Sequence, residues 1–220
     1  MPLAEIEPVS RESTAAIIAR QLREAIMNGS LPPGTQLAET ELAAQFQVSR
    51  GPLREAMQRL VSEGLLRSER HRGLFVIDLE PEDVHDIYSA RMAIERQALI
   101  RVAQGADREA VADALDETVR EMAAATAARD WAAVSEADTR FHEVLVAGSG
   151  SKRLQRMSRT LLVETRMCLS ALRLKYNDDE ERVTEHEQIA EAIRRGDAKK
   201  AAALLEDHMD DAVRRLTAGT

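Results

Sequence analysis

One stretch constrains this chain more than any other: Val48 to Leu66, V-S-R-G-P-L-R-E-A-M-Q-R-L-V-S-E-G-L-L, which carries a start, a face and a stop for a single helix. Ser49 suits an N-cap, where a hydroxyl accepts from an otherwise unpaired amide of the first turn. Gly51 and Pro52 fall in that turn, where the missing proline N–H costs little. Leu53, Ala56, Met57, Leu60 and Val61 form one apolar stripe, and Gly64 ends the helix. Arg50, Arg54 and Gln58 lie on a different face. Two arginines near the N-terminus of a short helix suit the base edges of a DNA groove. Alone, the same helix reads first as an ordinary amphipathic surface element. Its neighbours decide between the two.

Before it, residues from about Ser10 to Asn28 read as a helix with Ile18, Leu22 and Ile26 on one side and Gly29 as its stop. Leu31-Pro32-Pro33-Gly34-Thr35 is a stiff turn. A second helix runs from about Glu39 to Phe46, with Leu42, Ala43 and Phe46 expected to be buried, and Gln47-Val48-Ser49 swing the chain into the third. That is a helix-turn-helix. After Gly64, the run Leu65–Glu69, the basic turn Arg70-His71-Arg72-Gly73 and the run Leu74–Ile77 read as a two-stranded wing. Arg70 and Arg72 at its tip suit phosphate or the minor groove.

The formal net charge of −8 runs against nucleic acid until it is located. Residues 1–78 hold nine basic and ten acidic residues, a net −1; the remainder holds 21 and 28, a net −7. Within 49–72, Arg50, Arg54, Arg59, Arg67, Arg70 and Arg72 outnumber Glu55, Glu63 and Glu69. Binding follows the local field, and the reading surface is locally basic. Charged residues at 31% and hydrophobics at 44% exclude a disordered chain. No apolar run reaches the roughly 20 residues of a membrane span, and the acidic start M-P-L-A-E-I-E-P lacks the form of a signal peptide. With Cys168 the only cysteine, no internal disulfide forms, so a cytoplasmic setting without membrane attachment is expected.

Residues 14–78 resemble the winged helix-turn-helix of GntR-family bacterial transcriptional regulators. The resemblance is carried by Ile26-Met27-Asn28-Gly29, Pro33-Gly34-Thr35, Leu42-Ala43, Val48-Ser49-Arg50, Pro52-Leu53-Arg54-Glu55-Ala56, Glu63-Gly64-Leu65 and Arg72-Gly73. It implies that Thr40, Ser49, Arg50, Gly51 and Arg54 face DNA, with the wing from Arg70 through Arg72 to Gly73 assisting. In some relatives an arginine stands where Thr40 is, so one contact is expected to be weaker here.

A composition shift at Asp78-Leu79-Glu80-Pro81-Glu82-Asp83 divides the chain into an N-terminal domain, 1–78, and a C-terminal domain, 79–220. Beyond it the pattern is helical throughout, with candidate helices at about 82–105, 107–128, 130–147, 151–174, 179–195 and 197–217. The expected fold class is therefore mainly α: a winged helix-turn-helix followed by an all-α bundle. Asp138 and His142, four apart, share one helical face and can jointly hold an ion. His186 and His208 lie on two further helices. Three imidazoles and a carboxylate in one cavity would suit a borderline divalent metal (zinc first, nickel or manganese next), but spacing alone does not bring separate helices together.

Here too a resemblance adds to the reading. The second domain looks like the FCD ligand-binding domain of the FadR subfamily, on Arg91-Met92-Ala93-Ile94-Glu95, Asp138-Thr139-Arg140-Phe141-His142, Glu185-His186 with Ile189, Ala192 and Ile193, and His208. It implies Asp138, His142, His186 and His208 as metal ligands, and it turns the face of Arg91 and Glu95 inward. Without it, that pair would read as an i,i+4 surface ion pair. Arg91 is then placed to hold a small carboxylate, with Glu95 beside it and Arg166 as a second candidate.

Other patterns fail. His142-Glu143 begins H-E-x-x-H, but position 146 is valine; Gly148-Ser149-Gly150-Ser151-Lys152 lacks the phosphate-loop spacing and ending. Trp131, Tyr88 and Cys168 read as core, and His85 as structural. The expected function is a ligand-responsive regulator, a repressor that binds a pseudo-palindromic operator as a homodimer and senses a small organic or sugar acid. The alternatives are a regulator that responds to the metal ion itself, and a metal-dependent enzyme built on the Asp/His site.

Overall fold

The computed structural model describes residues 12–27, 29–171 and 179–217. The expected helix start at Ser10, the matching residue Asn28 and the helix end expected at 172–174 lie outside them. Among the described residues are nine helices and three short strands: α1 Thr14–Met27, β1 Gln36–Leu37, α2 Glu39–Phe46, α3 Arg50–Ser62, β2 Leu66–Glu69, β3 Gly73–Val76, α4 Pro81–Ala103, α5 Arg108–Ala128, α6 Trp131–Gly148, α7 Lys152–Ala171, α8 Asp179–Arg194 and α9 Ala198–Thr217. The chain divides into two compact units, Met1–Ile77 and Asp78–Thr220.

In the first unit α1 and α3 share the core. Leu53, Ala56, Met57 and Leu60 of α3 bury their stripe with Ile18, Ala19, Leu22 and Ile26 of α1. Each large side chain so enclosed contributes about 1.5–3 kcal/mol over leaving it in water. Arg23 of α1 clasps Glu63, with Nε and Nη2 donating to its two oxygens at 2.9 and 2.8 Å, which ties α1 to the C-terminal end of α3. Helix α3 stops at a left-handed Gly64 (φ 81°), where the Leu65 amide donates back to the Leu60 carbonyl (3.0 Å).

Four expectations need correction. Ser49 does occupy the N-cap in extended backbone (φ −71°, ψ 161°), but its hydroxyl accepts no amide of α3. The cap is a position here, not a bond. Helix α2 buries nothing fully, and Leu42, Ala43 and Phe46 are only half-covered, because so short a helix has few neighbours inside a small unit. The wing is three-stranded: β1 pairs antiparallel with β3, Gln36 opposite Phe75 and Leu37 opposite Leu74, giving the order β1-β3-β2. Two residues after a Pro-Pro-Gly turn carry too little alternation to announce a strand. Finally, Trp131 is 39% exposed, at the start of α6, and is not core.

The second unit is a helical bundle around Leu99, Leu115, Phe141, Leu145, Ile189, Ile193 and Leu205. Its long first helix, α4, opens with a capping box in which Glu80 and Asp83 satisfy each other's backbone amides. Helix α4 packs against α6, α7 and α9. At the end of α6, a Cβ on Gly148 would lie 2.6 Å from Val111 Cγ1, so only glycine lets α5 and α6 approach this closely there. No described helix is long and apolar enough to cross a membrane.

Candidate nucleic-acid interface and metal centre

The turn between α2 and α3 is set by Gln47, held left-handed (φ 54°, ψ 44°), with the Val48 amide donating to the Ala43 carbonyl (3.0 Å). That turn sends α3 outward with its N-terminal residues exposed. Thr40, Ser49, Arg50, Gly51 and Arg54 all lie on the surface, and a Cβ on Gly51 would meet nothing within 4 Å. A close approach by another molecule is therefore open at Gly51. Among the described residues Arg50 and Arg70 make no ion pair. Arg54 does: its Nε donates to Glu39 Oε2 of α2 at 2.8 Å. That contact braces α2 against α3 while 60% of the Arg54 side chain stays exposed.

The wing tip is built by backbone strain and stacking. His71 (φ 64°) and Gly73 (φ 103°) both hold positive φ, which tightens the turn. Arg72 pairs with Glu69, and its guanidinium carbon lies over the Phe75 ring, 5.1 Å from the centroid, so the head group is steadied while 68% of the side chain stays exposed. Gln36 of β1 donates to the Arg72 carbonyl, a brace for the wing that no sequence pattern announced.

In the second unit, α6, α8 and α9 bring together residues far apart in sequence. One ligand atom each from Asp138, His142, His186 and His208 lies within 4.8 Å of the others, and all four residues are buried. The imidazole centroids are 4.5–5.5 Å apart, and Phe141 closes one side at 4.6 Å from His186. His186 Nε2 is 3.5 Å from Asp138 Oδ1.

What orients these rings lies behind them. His142 Nδ1 is 2.6 Å from Glu95 Oε2, His186 Nδ1 donates to the Arg182 carbonyl at 2.8 Å, and His208 Nδ1 is 2.8 Å from Glu185 Oε2. Each Nδ1–H is thus committed to an oxygen, which leaves each Nε2 lone pair turned to the cluster. The Nε2 atoms of His142 and His186 are buried without any hydrogen-bond partner among the described residues. Two orphaned acceptors side by side are costly unless a cation meets them. Burial, and then the neighbouring imidazole, pushes His186 and His208 down to about 3, which keeps both rings neutral and ligand-competent. Burial tends to raise Asp138, yet His186, His142 and Arg182 hold it below the usual range, so it stays ionised. Three imidazole nitrogens and one carboxylate oxygen fit a borderline divalent cation.

Beside the cluster, Arg91 is 1% exposed. Its Nε donates to Glu95 Oε1 (2.8 Å) and its Nη1 to Thr165 Oγ1 (3.3 Å), while Nη2 is buried and unpaired. Glu95 bridges Arg91 and His142; burial would raise it, but the Arg91 guanidinium and the His142 ring that bonds to it bring it down to about 2. The inward face expected for Arg91 and Glu95 is what the fold places there, with Glu95 serving as a link rather than lining the cleft. Arg91, Asp138 and His208 line a small cleft with Tyr88, Arg182 and Glu185, whose free volume is ≈ 20 Å³. Arg166 is not brought to it: its guanidinium pairs with Glu136. Sequence reasoning gave no role to Arg182, Glu185 or Thr165. Glu185 precedes His186 in the chain yet holds His208, a pairing that no local spacing encodes.

The family model "Bacterial regulatory proteins, gntR family" matches residues 14–76, and "FCD domain" matches residues 86–211. The chain is 33% identical over 208 residues to the gluconate operon transcriptional repressor of Bacillus licheniformis, covering 92% of this chain and 85% of that one. To the protein of the same name from Bacillus subtilis (strain 168) it is 31% identical over 208 residues, with the same coverage. A solved GntR-type regulator structure from Rhodococcus sp. RHA1 matches with a TM-score of 0.79 at 27% identity, over 94% of this chain and 98% of that chain.

Proposed function

The chain belongs to the GntR family of bacterial regulatory proteins, with an FCD domain following its DNA-binding domain, and we propose that it is a repressor whose operator occupancy is set by a small organic or sugar acid held beside a divalent metal ion. Family membership makes it a DNA-binding transcriptional regulator rather than an enzyme, which removes the metal-dependent enzyme on the Asp/His site from consideration. Residues 1–78 form the reading domain and 79–220 the sensing and dimerising domain. As a homodimer it meets a pseudo-palindromic operator with one α3 per half-site. Arg50 and Arg54 contact guanine edges and phosphates, Thr40, Ser49 and Gly51 lie close to the backbone, and Arg70, Arg72 and Gly73 contact the groove flank.

The observation that carries the sensing half is the convergence of three imidazole Nε2 atoms and Asp138, with every Nδ1 already spent, next to a buried guanidinium that keeps one donor in reserve. Asp138, His142, His186 and His208 would hold the ion, with zinc the first expectation on this donor set and nickel or manganese next. When bound, the ion supplies a Lewis-acidic anchor for a carboxylate oxygen. Arg91, kept in place by Glu95 and Thr165, donates Nη2–H to the same acid in a charge-assisted bond. The relatives named for a gluconate operon make sugar acids the first class to try. The acid acts on DNA affinity only through a difference in its affinity for two states of the protein.

A cleft of ≈ 20 Å³ has room for about one water molecule, and that favours, as a second reading, a regulator for which the ion itself is the signal. One experiment separates them. Metal-loaded and chelator-stripped protein is screened by thermal shift against small organic and sugar acids, with operator binding measured in parallel. Stabilisation requiring both metal and one acid class supports the first reading. A change in operator affinity on chelation alone, with no acid effective, supports the second.

A further inference from the structure

Helix α7 carries opposite charges at the two ends of one outward stripe. Arg153, Arg156, Met157, Thr160 and Glu164 recur at helical spacing and share a face. Arg153, Arg156 and Met157 are exposed, Thr160 and Glu164 half-covered. Met157, at 56%, is the more exposed of the two large apolar side chains left open among the described residues, and it sits near the middle of the stripe. Neither Arg153 nor Arg156 has an ion-pair partner among the described residues, although the domain around them is strongly acidic. Elsewhere in the unit Arg140, Arg194 and Arg195 find carboxylates, whereas Arg153 and Arg156 stand together on one helical face with none.

The opposite end has the opposite surplus. Helices α4 and α7 run antiparallel: Arg101 Nε donates to the Ser149 carbonyl just before α7 (3.2 Å), and Arg91 reaches Thr165 (3.3 Å). The acidic start of α4 therefore lies by the C-terminal half of α7. Burial raises Glu164, and Asp83 and Asp86 of α4 raise it further, a sign that like charges are crowded there.

We infer that this stripe is the contact between two copies of the chain, α7 packing antiparallel on α7 of a second copy about a two-fold axis. The inference rests on the reading that the regulator works as a homodimer, and it locates the interface. Reversing the helix lays its basic end on the acidic end of its copy. In that register Arg153 faces Glu164 of the second copy and Met157 faces Thr160. The two-fold repeats each contact, as an isologous interface requires. The stripe from Arg153 to Glu164 spans about 16 Å of helix, so both ends engage at once. The surplus at each end is neutralised, and Met157 leaves water.

The test uses full-length protein and sedimentation equilibrium. Arg153→Glu puts a carboxylate opposite Glu164 twice per dimer and weakens dimerisation at least about tenfold, like charges in contact being strongly unfavourable. Glu164→Arg does the same. The double variant R153E/E164R restores dimerisation, because the pair is swapped rather than lost. Wild-type-like dimerisation of both single variants overturns the inference. So does a well-folded double variant that stays dissociated, or wild-type protein that is monomeric. A single variant that still dimerises but loses operator affinity also overturns it, in favour of DNA as the occupant of the stripe. The metal- and acid-dependent thermal shift of the same variants tests the sensing proposal separately: a dissociated variant that keeps the shift isolates the defect to the interface.

Discussion

Two arginine–carboxylate pairs of the same chemistry serve the two units in opposite surroundings. Arg54 meets Glu39 at 2.8 Å with its side chain 60% exposed; Arg91 meets Glu95 at the same 2.8 Å with 1% exposed. In water the first pair is screened, is worth roughly 0–1 kcal/mol, and can trade Glu39 for a phosphate or a base edge without disturbing the fold. The second cannot trade, because either charge left alone would face a low-dielectric core. The reading surface is thus made of charges free to change partners. The sensing centre is made of charges locked in a chain from Thr165 through Arg91 and Glu95 to His142. The Nη2 of Arg91 and the Nε2 atoms of His142 and His186 are left over. A partner that fits there must satisfy atoms the protein has already desolvated.

The sharpest way to break this contrast is to cut the locked pair. Arg91→Ala, which strands Glu95, should cost about 3–5 kcal/mol in urea unfolding, whereas the double replacement of Arg91 and Glu95 by Met and Leu should cost far less. Equal losses in both would mean that the pair is not what holds the centre. Next comes the ion. Saturating zinc at about 100 times its Kd should stabilise wild-type protein by about 2.7 kcal/mol, and His186→Ala should abolish that gain in calorimetric melts with and without chelator. On the reading surface, Arg54→Ala should weaken operator binding by about 1–3 kcal/mol in titrations at fixed salt, with urea unfolding changed by less than about 1 kcal/mol. Comparable losses in both measurements would erase the distinction between the two arginines. Smallest of all, Glu39→Gln should change stability by no more than about 1 kcal/mol, because an exposed partner is readily replaced by water.

What could be read in the residues follows the range of the interaction involved. The stripe Leu53–Ala56–Met57–Leu60 and the stop at Gly64 are local, and α3 follows them closely. The bundle helices begin and end within about three residues of the expected bounds among the described residues, since capping and glycine punctuation act over one turn. Strand β1 was missed because Gln36 and Leu37 are extended only through their pairing with Phe75 and Leu74, nearly forty residues later. Ser49 shows the limit of a local rule: the residue type suits a cap, but its hydroxyl makes no capping bond. Arg166 is the second candidate for an acid after Arg91, and packing separates the two: one is paired with Glu136, the other buried and joined through Glu95 to His142.

The residues by themselves determined the two-part organisation, the winged reading head with its arginines, and, through resemblance, the four candidate ligands. Helical period and turn chemistry are written within a few neighbouring residues, and those signals survive without tertiary context. Only the tertiary structure decided that α6, α8 and α9 bring Asp138 and three histidines within one ion's reach, and that Glu95, the Arg182 carbonyl and Glu185 each take an Nδ1–H. It also decided that Arg91 keeps a free donor. These depend on which faces meet across the bundle and on how much water packing removes, and neither is a property of any stretch of sequence.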